Sequence, residues 1–194
     1  MKHDNVKKTI YYDNAVIKVY NIPIFYFPRL SHPDPSVDRR SGFLPPTLYN
    51  SKNLGNGISV PYFFNLGVDK NLTITNRFYF AEHPLILGEY HQAFKNSDLI
   101  TDFGYTEGYK KTSSTKRSGE KSHFFARFVK NFTNSKNFEN NFNINLQEVS
   151  NDKYLKLYKI ESNLVDYNLD TLENSLNYTL QKDDLFFGFD ASVY

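Results

Sequence analysis

The sequence predicts an all-β protein, an antiparallel up-and-down meander whose strands have one apolar and one wet face. Apolar and polar residues alternate with a period of two in segment after segment. No segment keeps a 3.6-residue period for three turns, so helix should be nearly absent. Composition agrees: aromatic residues make up 17% of the chain, 15 Tyr and 18 Phe with no Trp, yet the mean hydropathy is −0.56. That combination suits strands greasy on one side and hydrated on the other.

With 194 residues the chain can bury a sizeable core. A net charge of +2 is too small for a nucleic-acid groove, so no nucleic-acid partner is expected. Without cysteine there is neither a disulfide framework nor a thiolate metal site, and the redox compartment is not legible. The first residues, MKHDNVKKTIYYDN, are basic but lack an apolar core followed by a small-residue cleavage site, so they do not read as a secretory signal. No run approaches the roughly 20 apolar residues of a membrane helix, although a barrel strand needs only about 9–11 alternating ones.

In order along the chain, Ala15–Phe27 (AVIKVYNIPIFYF) reads as one or two strands, with Pro23 confining it to an edge or a bulge. His32–Pro46, HPDPSVDRRSGFLPP, holds four prolines and a glycine in fifteen residues and is a punctuated hinge. Leu44–Tyr49 is a short strand broken by Pro45 and Pro46, and Ile58–Gly67 is a strand with Pro61 inside it. Each should pair imperfectly, because proline brings no N–H to the ladder.

Regular alternation follows. Leu72, Ile74, Phe78 and Phe80 alternate with polar partners over Asn71–Phe80, with Asn76 out of step. In Phe138–Gln147, Phe138, Phe142, Ile144 and Leu146 point one way, and Glu139, Asn141, Asn143, Asn145 and Gln147 the other. Asn and Gln are poor strand formers, so that second face must be wet. Leu85–Phe94, Leu99–Tyr109, Ser122–Phe132, Leu172–Gln181 and Leu185–Tyr194 complete the strands. Connections 50–57, 110–121 and 148–171 are long and polar, whereas 67–70, 95–98, 133–137 and 181–184 are tight; 81–84 breaks the pattern. Short turns on one rim and longer loops on the other are the habit of outer-membrane barrels. The segment YKKTSSTKRSGEKS (Tyr109–Ser122) reads as unable to bury anything.

No catalytic chemistry emerges. His32, His83, His91 and His123 have no metal-ligand spacing and read as loop or lumen residues. Ser41-Gly42 and its neighbours form no nucleophile motif with a local base. Neither an enzyme nor a cofactor is expected.

HPDPSVDRRSGFLPP resembles the segment that joins a periplasmic jelly-roll to the first barrel strand in the outer-membrane LPS-assembly family (LptD, also called OstA or Imp). IPIFYFPRLSHP (Ile22–Pro33) is similar to the end of that jelly-roll. VPYFFNLGVDKNLTITNRFYF (Val60–Phe80) is similar to the second and third barrel strands, and LGEYHQAF (Leu87–Phe94) to the fourth. DKYLKLYKIES (Asp152–Ser162) is similar to a loop motif of the family.

The resemblance implies three regions: residues 1–33 as the end of the jelly-roll, 34–43 as the hinge, and 44–194 as the N-terminal strands of an incomplete barrel. It implies lipopolysaccharide transport, with the glycan crossing the lumen and the lipid leaving through a lateral gate weakened by Pro46 and Pro61. Implied partners are lipopolysaccharide, an LptE-like plug lipoprotein, an LptA-like periplasmic bridge and outer-membrane lipids. The implied location is the cell outer membrane, with the N-terminal part in the periplasm. For Arg39, Arg40, Ser41 and Gly42 two readings stand, lipid A phosphate contact through the forked guanidinium donors or a solvated hinge paired with Asp34 or Asp38. Glu139, Asn141, Asn143, Asn145 and Gln147 would face the lumen. The family's chains are much longer and its better-studied members carry cysteines, so this chain reads as a fragment. Another porin or receptor barrel, and a soluble glycan-binding β-domain, are the alternative readings.

Overall fold

A computed structural model describes the chain except residues 1, 5, 7, 20, 35–38, 114–115, 135–137 and 183. The middle of the hinge, Asp38 included, therefore lies outside the described residues, as do parts of the connections at 110–121, 133–137 and 181–184.

Two antiparallel sheets account for the fold. Strands β1 (Lys2–Asp4), β2 (Thr9–Val19) and β3 (Ile22–Pro33) form a three-stranded sheet in that order. Pro23 sits where the rule for proline puts it: β3 is an edge strand, and the register slips beside it, from Ile17↔Phe25 to Lys18↔Pro23. Strand β1 and the first residues of β2 go beyond the predicted Ala15–Phe27, because KHD and TIYYDN carry too few apolar residues to show a period.

The second sheet has ten strands: β4 (Gly42–Phe43), β5 (Thr47–Ser51), β6 (Gly55–Asn65), β7 (Lys70–Tyr79), β8 (Leu85–Phe94), β9 (Ser97–Gly108), β10 (Ser118–Asn134), β11 (Phe138–Val149), β12 (Asn174–Lys182) and β13 (Leu185–Val193). From β6 to β13 each strand pairs with the next, the predicted meander; β4 and β5 both lie along the free side of β6. The one helix among the described residues is α1 (Tyr154–Tyr158).

Register divides this sheet into two faces. One row crosses it through Tyr62, Ile74, Gly88, Phe103 and Phe124; the row behind, on the other face, runs through Phe63, Thr73, Glu89, Asp102 and Phe125. On the first face Phe64, Phe78, Ile86, Phe103, Phe124, Leu146 and Phe187 are between 37% and 54% exposed. Burying one such side chain is worth about 1.5–3 kcal/mol. A water-soluble sheet covers a continuous apolar face of this kind with a second layer, and none lies on it among the described residues. The other face carries Thr73, Thr75, Arg77, Glu89, His91, Arg127 and the Asn-rich side of β11.

The buried core sits on that polar face, at the end where the longer connections lie. Tyr79, Leu85 and Phe125 from the strands, with Leu54 from the β5–β6 turn, meet Tyr154, Leu155, Tyr158, Ile160 and Val165 from the connection between β11 and β12. Long and polar as the sequence reads it, the 148–171 connection nevertheless folds back onto the sheet and docks. Tyr109 and Lys121 are buried as well, so the stretch 109–122 does bury side chains. Lys121 does so by donating to the carbonyls of Arg117 and Gly119.

Candidate functional site

The edge of the large sheet is built around three prolines. β4 pairs Gly42 with Phe63 and Phe43 with Tyr62, and β5 resumes with Thr47 opposite Ser59. Between them Leu44, Pro45 and Pro46 stand against Val60 and Pro61, three residues facing two, which makes a bulge. The Leu44 N–H donates to the Pro61 carbonyl at 3.0 Å. A strand residue points its N and its C=O to the same side, so the Pro61 ring nitrogen also faces this seam and not β7. The β6–β7 pairing accordingly runs without a register shift past Pro61↔Thr75. Proline is tolerated in a strand with neighbours on both sides because the missing donor is missing only from the seam. Sequence reasoning gives each of two strands a defect; the structure brings the defects opposite one another.

The hinge residues that are described tie both sheets to this edge. The Asn65 N–H donates to Ser41 Oγ at 2.8 Å and Asn65 Nδ2 to the Arg39 carbonyl at 3.1 Å, while Arg39 Nη1 donates to the Val68 carbonyl at 2.8 Å. Arg40 turns the other way, donating to Thr9 Oγ1 at 2.5 Å and the Lys8 carbonyl at 3.4 Å. Asp34 pairs with His3 at 2.5 Å. The two arginines thus clamp one sheet each, and Gly42 contributes a ladder pair.

On the polar face Glu139, Asn141, Asn143, Asn145 and Gln147 share one side of β11. Asn141 Nδ2 donates to Asn131 Oδ1 at 2.7 Å and Asn145 Nδ2 to Ser175 Oγ at 3.1 Å, and Gln147 Oε1 accepts from the Glu173 N–H at 3.0 Å. Such amide bridges pair Asn141, Asn145 and Gln147, whereas the buried Asn143 Oδ1 has no hydrogen-bond partner among the described residues.

The docked segment is the part of the site that sequence reasoning missed. Asn151 starts it, accepting from the Lys153 N–H through its side chain at 3.0 Å and from the Tyr154 N–H through its carbonyl at 3.0 Å. Lys159 ends α1 in the left-handed region at φ 46°, which a lysine adopts reluctantly, and the helix stops after five residues. Tyr154 then reaches between β9 and β10. Its hydroxyl lies 3.1 Å from His123 Nδ1, and His123 Nε2 lies 3.0 Å from Asp102 Oδ1, with the His123 side chain fully buried. With the proton on Nε2, the ring donates to the carboxylate and accepts from the phenol, satisfying all three groups. Arg77 Nη1 caps the segment by donating to the Tyr158 carbonyl at 2.8 Å. Of the other histidines, His83 pairs with Glu107 and His91 with Glu89; the side chain of His32 lies outside the description. Among the described residues no cluster of three or more ligating side chains is placed to hold a metal.

Room for Tyr154 comes from Gly104, where an added Cβ would lie 2.5 Å from His123 Cε1 and 2.8 Å from both Leu87 Cδ2 and Tyr154 Oη. Gly104→Ala should therefore loosen the dock at a cost of about 1–3 kcal/mol, the range for overpacking. Faster tryptic cleavage at Lys153, Lys156 and Lys159, with the remainder of the chain still resistant, is the expected result.

No protein-family model matches the chain. Curated proteins do. The chain is 30% identical over 149 residues to LPS-assembly protein LptD of Francisella tularensis subsp. holarctica, an alignment covering 70% of this chain and 17% of that protein. It is 42% identical over 79 residues to LPS-assembly protein LptD of Methylococcus capsulatus, covering 40% of this chain and 7% of that protein. With the protein of the same name from Pseudomonas aeruginosa it shares 31% identity over 94 residues, covering 47% and 10%. The aligned region thus spans less than a fifth of the length of each of these relatives.

Proposed function

We propose, from the premise that this chain belongs to the LptD family of LPS-assembly proteins as a segment of its members, that it forms one wall of an outer-membrane barrel that passes lipopolysaccharide to the outer leaflet. The observation that carries this reading is the two-faced sheet. Its exposed apolar face suits acyl chains, and its opposite face of Asn, Thr, Gln and Arg suits a hydrated glycan. On this reading Glu139, Asn141, Asn143, Asn145 and Gln147 line the lumen. The seam between β4/β5 and β6 is the weak line of the wall, with Pro46 and Pro61 withholding ladder donors on opposite sides of it. Lipid leaves sideways between the first and last strands of the complete barrel, through a gate that these two prolines weaken. The three-stranded sheet stands on the periplasmic side, as the end of the jelly-roll through which an LptA-like bridge delivers the lipid. Arg39 and Arg40 set the angle between the two sheets and present guanidinium forks to lipid A phosphates as the lipid passes the hinge. An LptE-like plug lipoprotein and outer-membrane lipids complete the set of partners, and no catalytic step is involved.

The test is site-specific photo-crosslinking. Crosslinkers placed one at a time from Ser41 to Tyr49, in the protein produced in a Gram-negative host, should capture lipopolysaccharide at several positions. Capture at none of them overturns the transport reading. A monodisperse monomer purified without detergent overturns the membrane wall itself and leaves the glycan-binding β-domain.

A further inference from the structure

Among the described residues β5 has a shorter ladder than any strand from β6 to β13. It offers five residues to a single neighbour, and the bulge at Leu44–Pro46 cuts it off from β4. Side chains must supply what the ladder lacks. On the polar face the β5 anchor is Tyr49, whose ring lies over Gly57 so closely that a Cβ there would be 2.7 Å from its hydroxyl. The ring also meets Tyr79 edge-on, with centroids 5.3 Å apart.

From Tyr79 the contacts continue into the docked segment. Tyr79 and Tyr158 are 5.8 Å apart, Tyr158 and Tyr154 5.4 Å, Tyr154 and His123 5.5 Å, and His123 and Phe125 4.7 Å. Each separation is within the range of favourable ring pairs. The series runs without a gap from the edge strand to β10, and two of its members, Tyr154 and Tyr158, belong to α1. A cavity of about 220 Å3 lies beside it, lined by Thr47, Tyr49 and Ser59 on one side and Leu157 and Tyr158 on the other. The turn that follows β5 is bound in as well, with Leu54 only 2% exposed in the same core.

We infer that the docked segment is a clasp for the edge strand: Tyr158 positions β5 through Tyr79 and Tyr49, so β5 moves freely only when the 150–172 segment lifts off the polar face. The physical warrant is a contiguous packed series of rings that joins the two elements. Coupling of this kind is reciprocal, so loosening β5 must also loosen the segment. Its meaning for export rests on the lipid-exit reading above. The clasp itself is a property of the fold and is measured without lipopolysaccharide, so failure of the clasp and failure of the transport reading are separate results.

Hydrogen exchange on the full chain in detergent micelles tests it. Tyr158→Ala should speed exchange of the 47–51 amides at least tenfold while β8 and β9 keep their protection, and Tyr158→Phe, which keeps the ring, should restore the slow rate. In the other direction, Tyr49→Ala should speed exchange at 154–160; this second variant lies on the sheet edge and leaves α1 intact. Faster exchange in 150–165 with unchanged rates at 47–51 in Tyr158→Ala, or no change at 154–160 in Tyr49→Ala, overturns the inference.

Discussion

Tyr154→Ala should free the 150–172 segment and cost about 3–5 kcal/mol, the range for emptying a buried aromatic site. Tyr154 is completely buried, so its ring contributes all the area it has. Its removal also strips His123 Nδ1 of its partner beside the buried Asp102. Tyr154→Phe separates the two contributions: the ring stays, one hydrogen bond goes, and the expected cost falls to about 1–3 kcal/mol for an unsatisfied buried group. Urea titration of both variants in detergent, with tryptic cleavage at Lys153 and Lys156 as the local probe, gives the ranking.

The same burial sets a pH limit on the dock. Removal from water pushes the Tyr154 phenol well above its ordinary range and Tyr158 up to about 12 from 10.0. Below pH 10 both phenols are neutral whether docked or released, and the stabilisation is complete. Above it the released phenols ionise first, so docking weakens as the pH climbs from about 10 to about 12. Protection of 150–165 should be flat from pH 7 to 9 and fall in that window; loss below pH 9 would contradict the assignment.

How much of this was legible in the sequence depends on what each contact needs. Strands such as β7 and β11 declare themselves through a period of two. The proline seam does so as well, because a residue without an N–H constrains its neighbours wherever it stands. The docked segment does not. YLKLY is too short to show a helical period, and its partners lie far away in sequence on three strands. A signal was nevertheless present: Leu85-Ile86-Leu87 and Phe124-Phe125 are apolar on both faces of strands whose other inward positions are mostly polar, which marks where something must cover the wet side. Gly104 and Gly57 were unreadable for a related reason. Their role is the space they leave for Tyr154 and Tyr49, and space appears only once the strands are in register.

Two neighbouring residues on β11 should respond in opposite ways to the same substitution. Ile144 lies between Phe128 and Leu176 on the apolar face near mid-strand; Asn143 lies between Val129 and Asn177 on the polar one. If the first face meets acyl chains, Ile144→Arg places a guanidinium near the bilayer midplane, at a cost of about 2–4 kcal/mol. Asn143→Arg places it in the cavity that Asn143 lines together with Asp98 and Arg127, and should cost about 1 kcal/mol or less. The comparison controls for strand propensity, since the side chain and the strand are the same. It also controls for the assay, since both variants are titrated with urea in the same phospholipid vesicles. In a sheet whose apolar face met water, Ile144→Arg would forfeit only part of one aliphatic contact and the arginine would remain solvated. Equal effects at the two positions would therefore remove the lipid-facing assignment, whereas a gap of 2 kcal/mol or more, about thirtyfold in the folding equilibrium, is the result expected of a charge held in hydrocarbon.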